Sequence, residues 1–189
     1  LTFHNLIIED DRPTPFILYG TINVTGTFTA EGAASDSLMT LTGLGVNTWN
    51  INVTGAAQLR NLQVNNSIST GPTLYSTGQG TGTTNWVFDN DGPTIPSLSS
   101  LHSPSNQTLP TLNWTTSVDT GSGLANPSYT IQWCQDATFS GCSSQSATTN
   151  DTHHTFNSPL SNGTWYFRVY ATDSVDNTSN NSTQSILID

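Results

Sequence analysis

Residues 158–179, SPLSNGTWYFRVYATDSVDNTS, decide the reading of the second half of the chain. Trp165, Phe167, Val169 and Ala171 alternate with Tyr166, Arg168, Tyr170 and Thr172. A period of two sends successive side chains to opposite faces of an extended strand. The first set is large and apolar, and the second is lighter and more polar. The stretch therefore predicts a strand buried on one face, as in a two-layer sandwich. Asn162-Gly163 before it and Asp173-Ser174-Val175-Asp176-Asn177 after it carry turn chemistry.

Working outward, residues 98–189 hold further short runs bounded by turn residues. They predict strands near Pro96–Ser100, at Thr111–Thr115 with Leu112 and Trp114 inward, and at Tyr129–Cys134 with Tyr129, Ile131 and Trp133 on one face. Others fall near His153–Phe156 and at Gln184–Ile188. Leu160, Gly163-Thr164, Trp165-Tyr166-Phe167-Arg168-Val169, Ala171, Asp173 and Ser179 resemble the F strand and F–G turn of a fibronectin type III domain. The version they resemble is that of bacterial and archaeal surface proteins. The texts VDTGSGLANPSYTIQW (118–133) and YATDSVDNTS (170–179) carry the same resemblance. It implies a seven-stranded β-sandwich over 98–189. The family keeps a tyrosine at the corner before this strand, and by face parity Trp165 stands there. The resemblance also places Cys134 at the end of one strand and Cys142 after the next loop, where the pair would staple a hairpin.

Residues 1–88 show no persistent 3.6-residue apolar period, and Gly, Thr, Ser, Asn and β-branched residues dominate. The expected strands are Phe3–Ile8, Phe16–Ala30, Leu38–Leu41, Thr48–Val53, Gln58–Val64, Thr73–Tyr75 and Asn85–Phe88. The pentapeptide INVTG occurs at Ile22–Gly26 and again at Ile51–Gly55. A recurrence at such spacing is the mark of stacked coils, none stable alone. This text resembles the β-helix repeats of large bacterial and archaeal surface proteins. A second antiparallel sandwich remains the alternative for this half. The fold class is all-β: a β-solenoid-like domain at 1–88, a linker at 89–97 (Asp-Asn-Asp-Gly-Pro-Thr-Ile-Pro-Ser), and the sandwich at 98–189.

The chain has 189 residues, of which only 8% are charged, with three basic residues (Arg12, Arg60, Arg168), thirteen acidic ones and a net charge of −10. No clustered Lys or Arg exists to neutralise phosphates, so a nucleic-acid partner is excluded. No run is long and apolar enough to predict a transmembrane segment. The chain begins at Leu1 without a secretory signal pattern, which predicts a processed protein or a piece of a longer one. Ten Asn-x-Ser/Thr sequons mark candidate glycan sites at Asn23, Asn52, Asn65, Asn106, Asn113, Asn150, Asn162, Asn177, Asn180 and Asn181. Two cysteines in a lysine-free chain favour a Cys134–Cys142 disulfide over free thiols, and an extracellular or cell-surface location.

Asp89, Asn90 and Asp91 offer hard oxygen ligands that suit Ca²⁺ and resemble calcium-binding linkers of cadherin-type tandem domains. No other cofactor is expected. His153-His154 point to opposite faces of a strand, so they do not chelate one ion. Enzymes of the β-helix type that cleave polysaccharides use paired carboxylates, whereas the solenoid half offers only Glu31 and Asp36 on a Gly/Ala loop, a poor case for catalysis; Glu9-Asp10-Asp11 reads as a solvated loop. No GxSxG, HExxH, P-loop or GxGxxG motif is present, so no catalytic residue is predicted. Trp49 and Trp86 are the candidates for a sugar-stacking surface, with solenoid packing as the alternative, whereas Trp114, Trp133 and Trp165 have core parity. The expected role is a non-enzymatic building block of a cell-surface filament, stalk or surface layer, with an adhesin or carbohydrate-binding module as the alternative. Partners would be copies of itself, other surface proteins, and glycans attached or bound. Assembly would proceed by strand addition through Leu1, Phe3, Leu6 and Ile8, or through Ser185–Asp189.

Overall fold

The computed structural model describes residues 1–9, 15–34, 37–142 and 145–189. Asp10, Asp11, Arg12 and Asp36 therefore lie outside the described residues. Every named element is a β-strand, so the chain is all-β. It divides into two units, Leu1–Asp91 and Gly92–Asp189.

The first unit holds β1 (Thr2–Phe3), β2 (Leu6–Glu9), β3 (Phe16–Leu18), β4 (Thr21–Val24), β5 (Phe28–Glu31), β6 (Met39–Gly43) and β7 (Trp49–Val53). It continues through β8 (Ala57–Arg60), β9 (Leu62–Asn65), β10 (Ser67–Ser69), β11 (Leu74–Ser76), β12 (Gly78–Thr81) and β13 (Trp86–Phe88). The ladders run β1-β4-β7-β10, β2-β5-β8, β3-β6-β9-β12 and β11-β13. All of these pairings are parallel. Parallel neighbours cannot be joined by a tight hairpin, so the chain travels through other strands before it returns. The result is coil stacked on coil, and the antiparallel alternative does not describe these ladders.

The repeated pentapeptide sits in register, with Ile22 opposite Ile51, Asn23 opposite Asn52 and Val24 opposite Val53. Its isoleucines and valines are buried, and the asparagines stack, with Asn52 Nδ2 donating to Asn23 Oδ1 at 3.5 Å. The closing glycine is also explained. A Cβ on Gly55 would run into the carbonyl oxygens of Gly26 and Thr25 in the coil below. The coils differ in length: Ile22 to Ile51 spans 29 residues, Trp49 to Ser67 spans 18, and Leu74 to Trp86 spans 12.

Three of the expected strands are subdivided: Phe3–Ile8 bends at His4-Asn5 into β1 and β2, and two others break at left-handed residues. Phe16–Ala30 is β3, β4 and the start of β5, because Gly20 turns the chain at φ 62°. Gln58–Val64 breaks at Asn61, which sits at φ 52°. Asparagine tolerates this left-handed conformation better than most side chains. Asn61, Asn66 and Asn85 all adopt it, and each sends its amide back to an earlier coil's carbonyl: Gly32, Gly45 and Ser69 respectively.

The second unit holds β14 (Thr111–Asn113), β15 (Leu124–Cys134), β16 (Ser146–Thr149), β17 (His153–Thr155), β18 (Gly163–Asp173) and β19 (Ser182–Ile188). One sheet runs β16-β15-β18-β19 and the other β14-β17, both antiparallel. On β18 the expected alternation holds: Trp165, Phe167, Val169 and Ala171 are buried and the intervening residues are half-buried. They pack with Leu112, Trp114, Tyr129, Ile131, Ile186 and Ile188 in one core. The strand expected near Pro96–Ser100 reduces to one bridge, Leu98 to Trp114. At the corner, Trp165 Nε1 donates to Ser161 O at 2.8 Å, so an indole makes the backward hydrogen bond there.

Ile51 is fully buried between two coils. Ile51→Ala is expected to cost about 2–5 kcal/mol in urea unfolding followed by circular dichroism. A loss well below that range would contradict close packing of this column.

Candidate functional site

Trp49 and Trp86 do not form a ligand surface. Trp49 is fully buried and its Nε1 donates to Asn65 O at 3.0 Å; Trp86 is 8% exposed and donates to Ser67 Oγ at 3.0 Å. The two rings meet edge to face at 6.3 Å, and Trp86 stacks on Phe88 at 6.1 Å. A buried indole needs a partner for its N–H, and each has one inside the stack. Packing, the second reading of these residues, accounts for both.

A cluster of partly accessible rings lies in the second unit. Trp133 ends the apolar series Tyr129, Ile131, Trp133 on β15, but only the first two are buried. Trp133 is half-buried and stacks on His154, with centroids 5.5 Å apart and planes 23° apart. Phe156 stands edge-on to both rings, at 5.0 Å from Trp133 and 4.9 Å from His154, and leans on Phe167 behind it. His153 is exposed and His154 is turned inward, as strand parity requires. Burial, and then the neighbouring His153, push the His154 imidazole below its ordinary value of 6.5.

The acidic residues are spread over both units. In the first, Asp89 is buried; its backbone N–H donates to Ser76 O at 2.9 Å and its Oδ1 accepts from Asp91 N at 3.3 Å. Asp91 is exposed. Glu31 is exposed at the end of β5. In the second, carboxylate oxygens of Asp119 and Asp173 lie within 4.8 Å of each other. Asp119 Oδ2 accepts from Gly121 N and Gly123 N. Asp173, fully buried, accepts from Val175 N, Asn177 N and Asn177 Nδ2 at 2.8–2.9 Å. Amide donors aimed at two carboxylates offset their mutual repulsion and fix both turns. The same oxygens are of the kind that calcium takes.

Cys134 and Cys142 are joined, with Cα atoms 5.8 Å apart. The loop between them is further pinned by Arg168, whose guanidinium lies 4.4 Å from the Phe139 ring centroid. Within this loop the backbone N–H and hydroxyl of Thr138 hold the Asp136 carboxyl below its ordinary value.

The sequons sort by surroundings. Asn106, Asn113, Asn162, Asn180 and Asn181 are exposed. Asn23, Asn52 and Asn65 are half-buried on coil strands. Asn177 Nδ2 is engaged by Asp173, and Asn150 Nδ2 by Asn126 Oδ1 at 2.6 Å. At the strand-addition candidates, Leu1 is exposed, Phe3 and Leu6 are half-buried and Ile8 is buried. The second candidate edge is occupied: Ser105 N donates to Leu187 O at 2.9 Å and Asp189 N to Ser105 O at 3.2 Å. That contact removes Ser185–Asp189 as an open strand.

Among the described residues, no helix is long and apolar enough to cross a membrane. No family model and no curated protein matches the chain. Among solved structures it is similar to chitinase ChiW from Paenibacillus sp. str. FPU-7, described as a bacterial cell-surface-expressed multi-modular enzyme machinery. The identity is 13% and the TM-score 0.34; the match covers 99% of this chain and 24% of that one.

Two outcomes follow. Because the folded His154 value lies below 6.5, the unfolded chain takes up that proton first. Its contribution to stability is complete above the unfolded value and is lost as the pH falls through the folded one. His154→Gln should flatten part of the fall in melting temperature between about pH 7.5 and about pH 5. Asp173→Ala leaves three buried or half-buried N–H donors without their acceptor, and should cost about 2–4 kcal/mol in urea unfolding.

Proposed function

We propose that this chain is a non-enzymatic structural module of an extracellular, cell-surface assembly, and that it joins a second copy of itself through its first coil. The observation that carries this reading is the contrast between the first coil and those stacked on it.

Phe3 lies in register with Val24, Leu6 with Phe28 and Phe16 with Leu41. The later members are all fully buried, while Phe3, Leu6 and Phe16 are half-buried. The outward positions differ as well. Ile7 is 62% exposed where the next coils carry Thr29 and Gln58, and Ile17 is 47% exposed where the next carries Thr42. The carbonyls of Leu1 and Phe3 accept from Asn23 N and Thr25 N. Alternation along the ladder turns the N–H and C=O of Thr2 toward the opposite edge, where the described residues place no further strand. An open edge flanked by exposed isoleucines is a template for pairing.

A second copy supplies matched apolar positions, and edge-to-edge contact of two like surfaces closes with two-fold symmetry. The Cys134–Cys142 bridge, the absence of lysine and the exposed sequons support a location outside the cell. Asp119 and Asp173 serve their own turns through amide hydrogen bonds, which supports a structural rather than catalytic reading.

Sedimentation velocity over a concentration series tests the proposal. The unaltered chain should shift from monomer to dimer, and Ile7→Lys with Ile17→Lys should remain monomeric while melting at the same temperature. A chain that stays monomeric throughout, or a double variant that still associates, overturns it.

A further inference from the structure

The second unit carries a groove of about 460 Å³ in which the aromatic group around Trp133 meets the loop that follows β17. Its apolar side is Trp133, His154 and Phe156, and its polar side is Asn157, Ser158 and Ser161. Phe156 is buried while Trp133 and His154 are half-buried, so a packed ring supports two accessible ones. The polar side is exposed. The groove belongs to one unit only and shares no residue with the first coil.

The groove is held in shape before any ligand arrives. Trp165 Nε1 ties Ser161 O, Leu160 N donates to Thr108 O at 2.8 Å, and Leu160 is buried beneath the loop. Trp133, His154 and Phe156 each contact the other two, so the three rings brace one another. Ordering costs on binding are therefore small, since the wall loop and the rings have little freedom left to lose.

The chemistry of the lining narrows the ligand. None of the described residues lining the groove is Asp, Glu, Lys or Arg. His154 is held toward its neutral form by burial and by His153. An anion would meet no cationic partner here and would approach a chain of net charge −10; a cation would find no carboxylate. A neutral ligand avoids both costs. It needs an apolar face to continue the near-parallel ring stack, and hydroxyl or amide groups to meet Asn157, Ser158 and Ser161. A pyranose ring has both: C–H groups on one face and hydroxyls around its rim. Aromatic faces favour such contacts, and small polar side chains supply both donors and acceptors. The volume lies within the range of small-molecule sites.

We infer that the Trp133–His154–Phe156 groove of the second unit is a binding site for a neutral oligosaccharide, which stacks a sugar ring on the aromatic side and hydrogen-bonds the Asn157–Ser161 loop.

The test is isothermal titration of the full chain with neutral cello-, xylo-, manno- and chito-oligosaccharides, read in parallel by tryptophan fluorescence. At least one series should bind saturably. Trp133→Ala should weaken it by about tenfold or more, the loss expected when an aromatic stacking partner is removed. Because Trp133→Ala could disturb packing, Asn157→Ala, at an exposed position, provides the second arm; it should weaken binding while leaving the melting temperature unchanged. Failure of every series to bind overturns the inference. So does a ligand whose affinity is unaffected in both variants while both remain folded. Saturable binding of a proline-rich or extended apolar peptide at this groove, with no saccharide binding, also overturns it and assigns the groove to peptide. None of these results bears on dimerisation through the first coil, which is read by sedimentation.

Discussion

The first unit depends on lateral registration of one coil over the next. Parallel hydrogen bonds fix which residues lie above one another, and only then do the apolar side chains form continuous columns. Ile22 on Ile51 and Val24 on Val53 are such columns, and the Asn23–Asn52 contact lies between them on the same strands. A slip by one residue would drive asparagines inward and isoleucines outward. Each coil is completed by its neighbours, and among the described residues the first coil has a neighbour on one side. Phe3, Leu6 and Phe16 show the consequence, being half-buried where their successors are sealed.

The second unit obeys a different constraint. It is an antiparallel pair of sheets whose central strand, β18, alternates cleanly between core and surface. Several of its ionisable groups have structural duties. Asp173 and Asp119 organise turns through amide donors, and Arg168 bonds Gln132 at 2.6 Å while covering Phe139. The inferred saccharide site in this unit rests on shape, rings and neutral polar groups, with no charged residue in its described lining. The groove beside Trp133 offers those features.

The parts of the fold legible in the sequence were those where one periodicity acts alone. Trp165 to Thr172 could be read because one face is core for the whole strand. INVTG could be read because the two coils that carry it are related by a constant offset. Other coils have different lengths, so their side chains align in space without aligning in the text. Corners at Gly20 and Asn61 lie inside β-rich runs, and apolar content alone does not reveal them. The three left-handed asparagines left a faint signal, each standing between two strand-forming runs, that propensity does not separate from an ordinary turn. Parity placed Trp133 correctly on the inner face, but the core ends before it reaches that residue, and nothing in the sequence marks where a sheet's edge lies. Alternation with His153 likewise assigns His154 a strand face but not its stacking partner, which comes from β15. Trp49 and Trp86 were ambiguous because a tryptophan's packing partners come from other coils.

Residue-resolved hydrogen exchange on the monomeric chain tests the central claim most directly: that registration seals the inner coils and leaves the first one open. The account predicts that amides of β7 exchange only through global unfolding, while those of β1 and β2 exchange far faster through local opening. Equal protection of the first coil and of β7 would contradict it.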